Sequence, residues 1–465
     1  MSSMEALQDK FQRNVVFEMR LCLDDAADPL AAVLSAVRDH GARTGEVRLV
    51  QHTAGQMIYD ARVFAKSDEQ ISAIRTDVEA IGGCKVIHAL DLAMESHRGG
   101  SCEIRSRVPI CSNTDLRVVY TPGVARVCKA IEADPAKARE YTGIANKVAI
   151  CTNGTAILGL GDIGPLAGLP VMEGKSAIFW EFVGISAEPV LIDTHDPDEF
   201  IHVMEKLACG FGAIQVEDVK APECFRITRE LDHRLKIPVM HDDQHGTAAV
   251  VMAALFSALK KTGKKIEDLM VSMVGAGAAG TAIADLLMHE GAADVILCDS
   301  RGALYRGRQE NMNPEKVALA ERTNKTNREG SLADVMKGTD VFVGVSQPDI
   351  VTPEMVKSMA KDPIIFALAN PVSEISRDDA LSAGAAVYAD GRMINNAVCY
   401  PGIFRGALDS GCEIISMQMV VAAAYAAAQL AGEDQIMPEM MDPATHRAVA
   451  EATRQAAGGG DPLLA

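Results

Sequence analysis

Apolar residues at alternating and helical spacings divide the N-terminal part of the chain into short elements. Phe17, Met19, Leu21 and Leu23 alternate with Glu18, Arg20 and Cys22, the period of a half-buried strand. Asp28-Pro29 then offers an N-cap residue ahead of a proline at the first helical position. Leu30, Val33, Leu34 and Val37 follow at helical spacing, with Gly41 as the stop. Val47 and Leu49, then Met57, Tyr59, Ala61 and Val63, alternate on either side of Thr53-Ala54-Gly55, which predicts a hairpin. Ser67-Asp68-Glu69-Gln70 is a capping box opening a helix with Ile71, Ile74, Val78 and Ile81 on one face. Residues 85–89 form the last strand. The order β-α-β-β-α-β predicts a ferredoxin-like domain over residues 1–95.

Further on, short apolar runs alternate with longer helical stretches, the mark of α/β folding. Residues 211–216 and 237–240 read as buried strands, and each precedes an acidic pair, Glu217-Asp218 and Asp242-Asp243. Thr247 is placed to cap a long helix over 248–261. A strand over 271–274 leads into Gly275-Ala276-Gly277-Ala278-Ala279-Gly280, an Ala-rich helix over 281–289, and a strand over 295–298 that ends at Asp299. Strand, glycines, helix, strand and acidic residue in this order predict a Rossmann-type dinucleotide site. The glycines let the backbone approach a pyrophosphate at the helix N-terminus. Asp299 is placed to bond a ribose 2′-hydroxyl, which favours NAD, and Arg301 is near enough to tolerate a 2′-phosphate, which leaves NADP open. Two more strands end at Ser346 and at Asn370-Pro371, and residues 406–430 read as closing helices. A second GxGxxG string, Gly159 to Gly164, is read as a tight loop, because Pro165, Gly168 and Pro170 should break any helix after it.

The acidic pairs are the first candidate chemistry. Both fall just past the carboxyl end of a strand, the edge where open α/β sheets bind ligands. Carboxylates gathered there repel unless a cation lies between them, and hard oxygen ligands suit Mg²⁺ or Mn²⁺. Solvated acidic turns account for the spacing equally well in a chain with 63 acidic residues. Lys175 enters an apolar stretch, 171–180, read as a strand; burial there would lower its pKa towards that of a general base, whereas a surface lysine would carry no role. Tyr120 ends an apolar run directly before a turn, as a proton donor or as a packed tyrosine.

Charge and cysteine content narrow the class. A formal charge of −18 argues against nonspecific nucleic-acid binding. Eleven cysteines without a CxxC suggest neither a disulfide framework nor a zinc site. The N-terminus has no apolar signal-type core, and the longest apolar stretch, 419–428, is too short to span a bilayer. No membrane partner is expected, and a cytoplasmic location is.

Four strings make the chain resemble the malic enzyme family, and in particular its shorter bacterial branch. They are Tyr120-Thr121-Pro122-Gly123-Val124-Ala125, Asn153-Gly154-Thr155 through Gly161-Asp162-Ile163-Gly164-Pro165-Leu166-Ala167-Gly168, Met172-Glu173-Gly174-Lys175 and His241-Asp242-Asp243-Gln244-His245-Gly246-Thr247. The resemblance runs from about residue 97 to about residue 430, and it implies a substrate and metal domain over 96–246 followed by a Rossmann domain over 247–465. It implies oxidative decarboxylation of L-malate to pyruvate and CO₂ with reduction of NAD or NADP, or the related malolactic outcome, in which NADH is retained and lactate leaves. By the same resemblance Glu217, Asp218 and Asp243 hold the metal, Lys175 is the general base, Asp242 its ionic partner and Tyr120 the general acid. Ser346 lines the cofactor site, Asn370 contacts cofactor and substrate, and Asn395-Asn396 contribute an amide to malate. Two departures stand out. The arginine that larger members carry after the glycine at 154 is absent from Thr155-Ala156-Ile157, and the loop 391–396 is short. A homodimer or homotetramer is implied. The N-terminal domain resembles an ACT domain, which implies a small-metabolite effector.

Overall fold

The computed structural model describes residues 15–53, 55–157, 159–370, 372–458 and 463 of the 465-residue chain. The chain folds as two compact units, one ending at Ser101 and one beginning at Cys102.

In the first unit β1 (Val15–Asp24), α1 (Leu30–Asp39), β2 (Arg43–Thr53), β3 (Gln56–Ala65), α2 (Asp68–Glu79) and β4 (Cys84–Asp91) follow in the expected order. The strands form one antiparallel sheet, β2-β3-β1-β4. Met19, Leu21 and Leu23 of β1 are fully buried with Val33, Val37, Ile74 and Val78 of the helices, so the alternation marks the covered face. On the other parity, Arg20 forks both oxygens of Asp60 at 2.7 and 2.9 Å, and Arg48 adds a bond at 3.2 Å. Helix starts differ in detail. Pro29 takes the N-cap position, so Asp28 caps nothing. Ser67 Oγ does accept the Gln70 N–H at 3.3 Å, whereas the Gln70 side chain turns to Lys66 and His40. Ala54, in the predicted hairpin turn, lies outside the described residues, as does Pro371.

The second unit holds two sheets. One is parallel, β6-β5-β7-β8, built from β5 (Lys147–Thr152), β6 (Ser186–Leu191), β7 (Ala213–Val216) and β8 (Val239–His241). The other runs β11-β10-β9-β12-β13-β14, with β9 (Met270–Val274), β10 (Asp294–Asp299), β12 (Val341–Gly344), β13 (Ile364–Ala367) and β14 (Val387–Asp390) parallel and a short antiparallel edge, β11 (Gly302–Ala303). Ahead of the first sheet lie α3 (Asn113–Val119) and α4 (Val124–Ala133), in a stretch, 101–147, with no buried residue. Among the described residues no helix is long and apolar enough to cross a membrane.

The largest departure from expectation follows the second glycine string. Residues 165–183, read as broken and then as a strand at Lys175, form a single 19-residue helix, α5 (Pro165–Val183). Pro165 is tolerated because the first helical residue needs no N–H donor. Gly168 is used for contact: a Cβ there would stand 2.5 Å from Ile157 Cδ1. Pro170 forfeits one bond, and the carbonyl left without it belongs to Leu166, a residue 78 % exposed. The loop from Gly159 to Gly164 therefore does precede a helix, and the nearest described strand before it, β5, ends at Thr152.

Candidate active site

The carboxyl ends of β7 and β8 carry the two acidic pairs. Glu217 and Asp218 follow β7, with Asp218 in the left-handed region at φ 51°. After β8, residues Asp242–Gly246 make one π-helical turn that runs directly into α6 (Thr247–Thr262). Thr247 is thus inside a continuous helix and is not its cap. Single π turns concentrate at functional sites because they turn extra side chains to one side. Here Asp242 and Asp243 face different partners.

Carboxylate oxygens of Glu217, Asp218 and Asp243 lie within 4.8 Å of one another. Asp243 Oδ2 accepts the Asp218 N–H at 3.1 Å, which ties the two edges together. Asp242, fully buried, accepts a hydrogen bond from Lys175 Nζ of α5. The same ammonium lies 3.0 Å from Glu217 Oε1 and 4.5 Å from the centre of the Tyr400 ring. Gln215 Nε2 donates to Glu217 Oε2. Lys175 thus pairs with Glu217 and Asp242, and the oxygens of Glu217, Asp218 and Asp243 gather beside that pair in a largely buried site. Burial, and behind it the charges of Asp242, Asp243 and Asp218, push Glu217 well above the ordinary carboxylate range, against the pull of Lys175. Burial would push Lys175 down, but Asp242 and Glu217 reverse it and hold the ammonium well above its ordinary range. An excess of buried negative charge on hard oxygen donors is what a divalent cation relieves, so this donor set fits one.

The structure sorts the remaining candidates. Asn396 Nδ2 reaches Asp242 Oδ2 at 3.3 Å and Thr247 Oγ1 at 3.1 Å, which brings it to the cluster. Asn395 instead caps its own turn through the Ala397 N–H at 2.9 Å. Tyr120 is 67 % exposed at the end of α3, and no described contact joins it to Lys175. The tyrosine at the lysine is Tyr400, which opens α7 (Tyr400–Ser410); it is 1 % exposed, and its hydroxyl has no partner among the described residues. Its ring is braced edge-on by Phe179 of α5 at 5.1 Å. The only sequence signal for it is an aromatic residue directly before a Pro-Gly helix start.

In the six-stranded sheet the strand order reverses between β9 and β12, which marks the crevice of a doubly wound fold. After β9 the glycine turn leads into a helix that begins at Ala278, three residues earlier than predicted. Gly280 permits this, because a Cβ there would stand 1.8 Å from Gly275 O. Ser346 and Asn370 follow β12 and β13 on the same edge, and both are exposed. Asp299 departs from its expected freedom. Its Oδ1 accepts from Arg308 Nη2 at 2.6 Å and from the Arg301 N–H at 2.8 Å; its Oδ2 accepts from Lys316 Nζ at 2.7 Å and Asn311 Nδ2 at 2.9 Å. These four bonds use the carboxylate's lone pairs, so a ribose hydroxyl must displace a donor to bond it. Burial raises the Asp299 pKa, but the bonds from Lys316 and Arg308 outweigh it and hold the group below the ordinary range. The Arg301 guanidinium turns to Glu310 at 3.2 Å, so Lys316 and Arg308 are the cations beside Asp299.

Residues 100–232 match the malic enzyme N-terminal domain and residues 244–458 the malic enzyme NAD binding domain. The NAD-dependent malic enzyme of Geobacillus stearothermophilus is 43% identical over 431 residues, covering 91% of this chain and 90% of that protein. The bifunctional malic/malolactic enzyme of Bacillus subtilis (strain 168) is 47% identical over 368 residues, covering 77% and 90%. The crystal structure of NAD-dependent malic enzyme from Thermotoga maritima superposes with a TM-score of 0.76 at 40% identity, covering 78% of this chain and 98% of that one. Two adjoining domain matches and close relatives over most of its length place the chain in the malic enzyme family.

Proposed function

We propose that the chain oxidatively decarboxylates L-malate to pyruvate and CO₂ with reduction of NAD, assisted by Mg²⁺ or Mn²⁺. The observation that carries this reading is a part-buried lysine, Lys175, bonded to Asp242 at the margin of the Glu217, Asp218 and Asp243 group. Held by those three carboxylates, a divalent cation would polarise the C2 hydroxyl and C1 carboxylate of malate and stabilise the enolate left by CO₂ loss. Lys175 accepts the C2 hydroxyl proton as hydride leaves C2 for the nicotinamide. Asp242 and Glu217 hold Lys175 protonated in the free protein, so it must lose that proton before it acts as a base. Asn396 orients Asp242 and offers an amide to malate, and Asn370 and Ser346 face the nicotinamide half of the cofactor. Tyr120 returns a proton to C3. The test is incubation with malate, Mn²⁺ and NAD: equal amounts of NADH and pyruvate are expected, and absence of both would overturn the reading.

A second outcome is favoured by the Bacillus subtilis relative, whose name includes malolactic activity. Lactate formed without net NADH would identify it. Lys316 and Arg308 beside Asp299 also support use of NADP, which comparison of initial rates on the two cofactors decides.

We further propose a homodimer or homotetramer in a reducing, cytoplasmic setting, the latter supported by eleven free cysteines. The stretch 101–147 has no buried residue, and it exposes Ile104, Ile110, Leu116, Val118 and Val119. Helices without a core of their own need a partner surface. Tyr120 belongs to this face, so on this reading its acid role operates in the assembly. Light scattering should give a multiple of the chain mass, and Val118→Asp should reduce it; a monomeric native protein would overturn the proposal. The N-terminal unit is proposed as an ACT-like regulatory domain for a small metabolite, supported by its βαββαβ topology. A metabolite that shifts both the thermal midpoint and the rate would identify the effector.

A further inference from the structure

The crevice edge of the six-stranded sheet contains a buried carboxylate that neither the metal cluster nor the glycine turn uses. Glu374 is fully buried. Its Oε1 accepts the backbone N–H of Ser346 at 2.9 Å, and its Oε2 accepts the backbone N–H of Ala369 at 3.0 Å. One oxygen thus holds the loop after β12, and the other holds the loop after β13. The same stretch is fastened again through its backbone, with the Val351 N–H on Glu374 O at 3.0 Å and the Asp349 N–H on Ser373 O at 3.2 Å. Gly344, the last residue of β12, leaves room for the carboxylate: a Cβ there would stand 2.3 Å from Glu374 Cδ. Burial raises the Glu374 pKa, and the two backbone N–H groups oppose it.

We infer that Glu374 is a positioning residue for the nicotinamide half of the cofactor: it fixes, from beneath, the spacing of the loops that present Ser346 and Asn370. Strand order supports the location. β9, β10 and the glycine turn lie on one side of the switch point, where the pyrophosphate and adenosine are read, and β12 and β13 lie on the other. A carboxylate suits this task because it accepts two N–H bonds without offering a donor. Bonds to a charged acceptor are about twice as strong as neutral ones. The inference rests on the proposed placement of the nicotinamide beside Ser346 and Asn370.

The test uses the full-length protein and two ligands. NADH carries the nicotinamide, whereas ADP-ribose carries only the adenosine, pyrophosphate and second ribose. Glu374→Gln keeps the shape but turns an amide N–H₂ towards one of the two backbone donors, so one loop loses its anchor. The expected result is roughly tenfold weaker NADH binding with ADP-ribose binding unchanged. The KM for NAD should rise by a similar factor. Should Glu374→Gln fail to fold, Gly344→Ala displaces the same carboxylate and should give the same split. Unchanged binding of both ligands would overturn the role of Glu374. Equal weakening of both would overturn the placement of the nicotinamide on the β12–β13 side.

Discussion

Two carboxylate groups stand at the ends of parallel strands in this chain, and they are built in opposite ways. Asp299, at the end of β10, meets two cations and two further donors, and its pKa is held down. Glu217 and Asp242, at the ends of β7 and β8, share one lysine beside the Glu217, Asp218 and Asp243 group, and Glu217 is held up. Asp60 on the N-terminal sheet repeats the first pattern with Arg20 and Arg48. A matched carboxylate contributes to folding and is finished without a ligand. An unmatched buried group persists only where something outside the chain completes it. The imbalance, more than the presence of acidic residues, marks the site.

Breaking the unmatched cluster should have the largest effect. Lys175→Ala removes the proposed base and should lower kcat by roughly 10²–10⁴-fold with the fold intact by circular dichroism; unchanged turnover would remove Lys175 from the mechanism. Asp243→Asn takes one charge from the three-carboxylate group, and half-maximal activation should need roughly tenfold more Mn²⁺, measured by metal titration of the rate. At the matched cluster, Lys316→Ala should leave NAD turnover nearly intact and weaken NADP by roughly tenfold, read as the ratio of kcat/KM values. The smallest effect belongs to Asp60→Asn, which should lower the thermal midpoint at neutral pH without altering kcat. The Asp60 pKa is lowered in the folded state, chiefly by its bond from Arg20. Its stabilisation is therefore present above the ordinary carboxylate pKa of about 3.9 and fades as pH falls below it, so the two proteins should converge in acid.

What is legible in the sequence follows the range of the signals. The βαββαβ order and the β9–glycine–α-helix–β10 unit rest on local periodicity, and both stand in the structure within a few residues. The helix at Lys175 escapes a local reading, because Pro and Gly count as breakers only when taken in isolation. Contact between Gly168 and Ile157 and the exposure of Leu166 reverse that preference. Asp299 reads as free because two of its partners, Arg308 and Asn311, come from an irregular stretch and the third, Lys316, from the first turn of a helix that no local period ties to β10. Tyr400 is no landmark in the sequence, since nothing in its neighbours reveals that its ring meets a lysine. Asn395 and Asn396 are not separable by residue type; the turn decides, pointing one into its own cap and the other at Asp242.

The π turn after β8 has a mechanical consequence. Residues 242–262 are one uninterrupted helical rod, and its side from Ala248 to Ala258 is almost wholly buried in a core that includes strands of both sheets. The rod begins with Asp242 and Asp243, so no loop at this joint can absorb a change of angle between the sheets. After β14 the chain crosses back through 391–399, before α7 packs Phe404 against Phe179. That second crossing carries Asn396, whose Nδ2 reaches Asp242 Oδ2 at 3.3 Å, so both crossings meet at the same carboxylate.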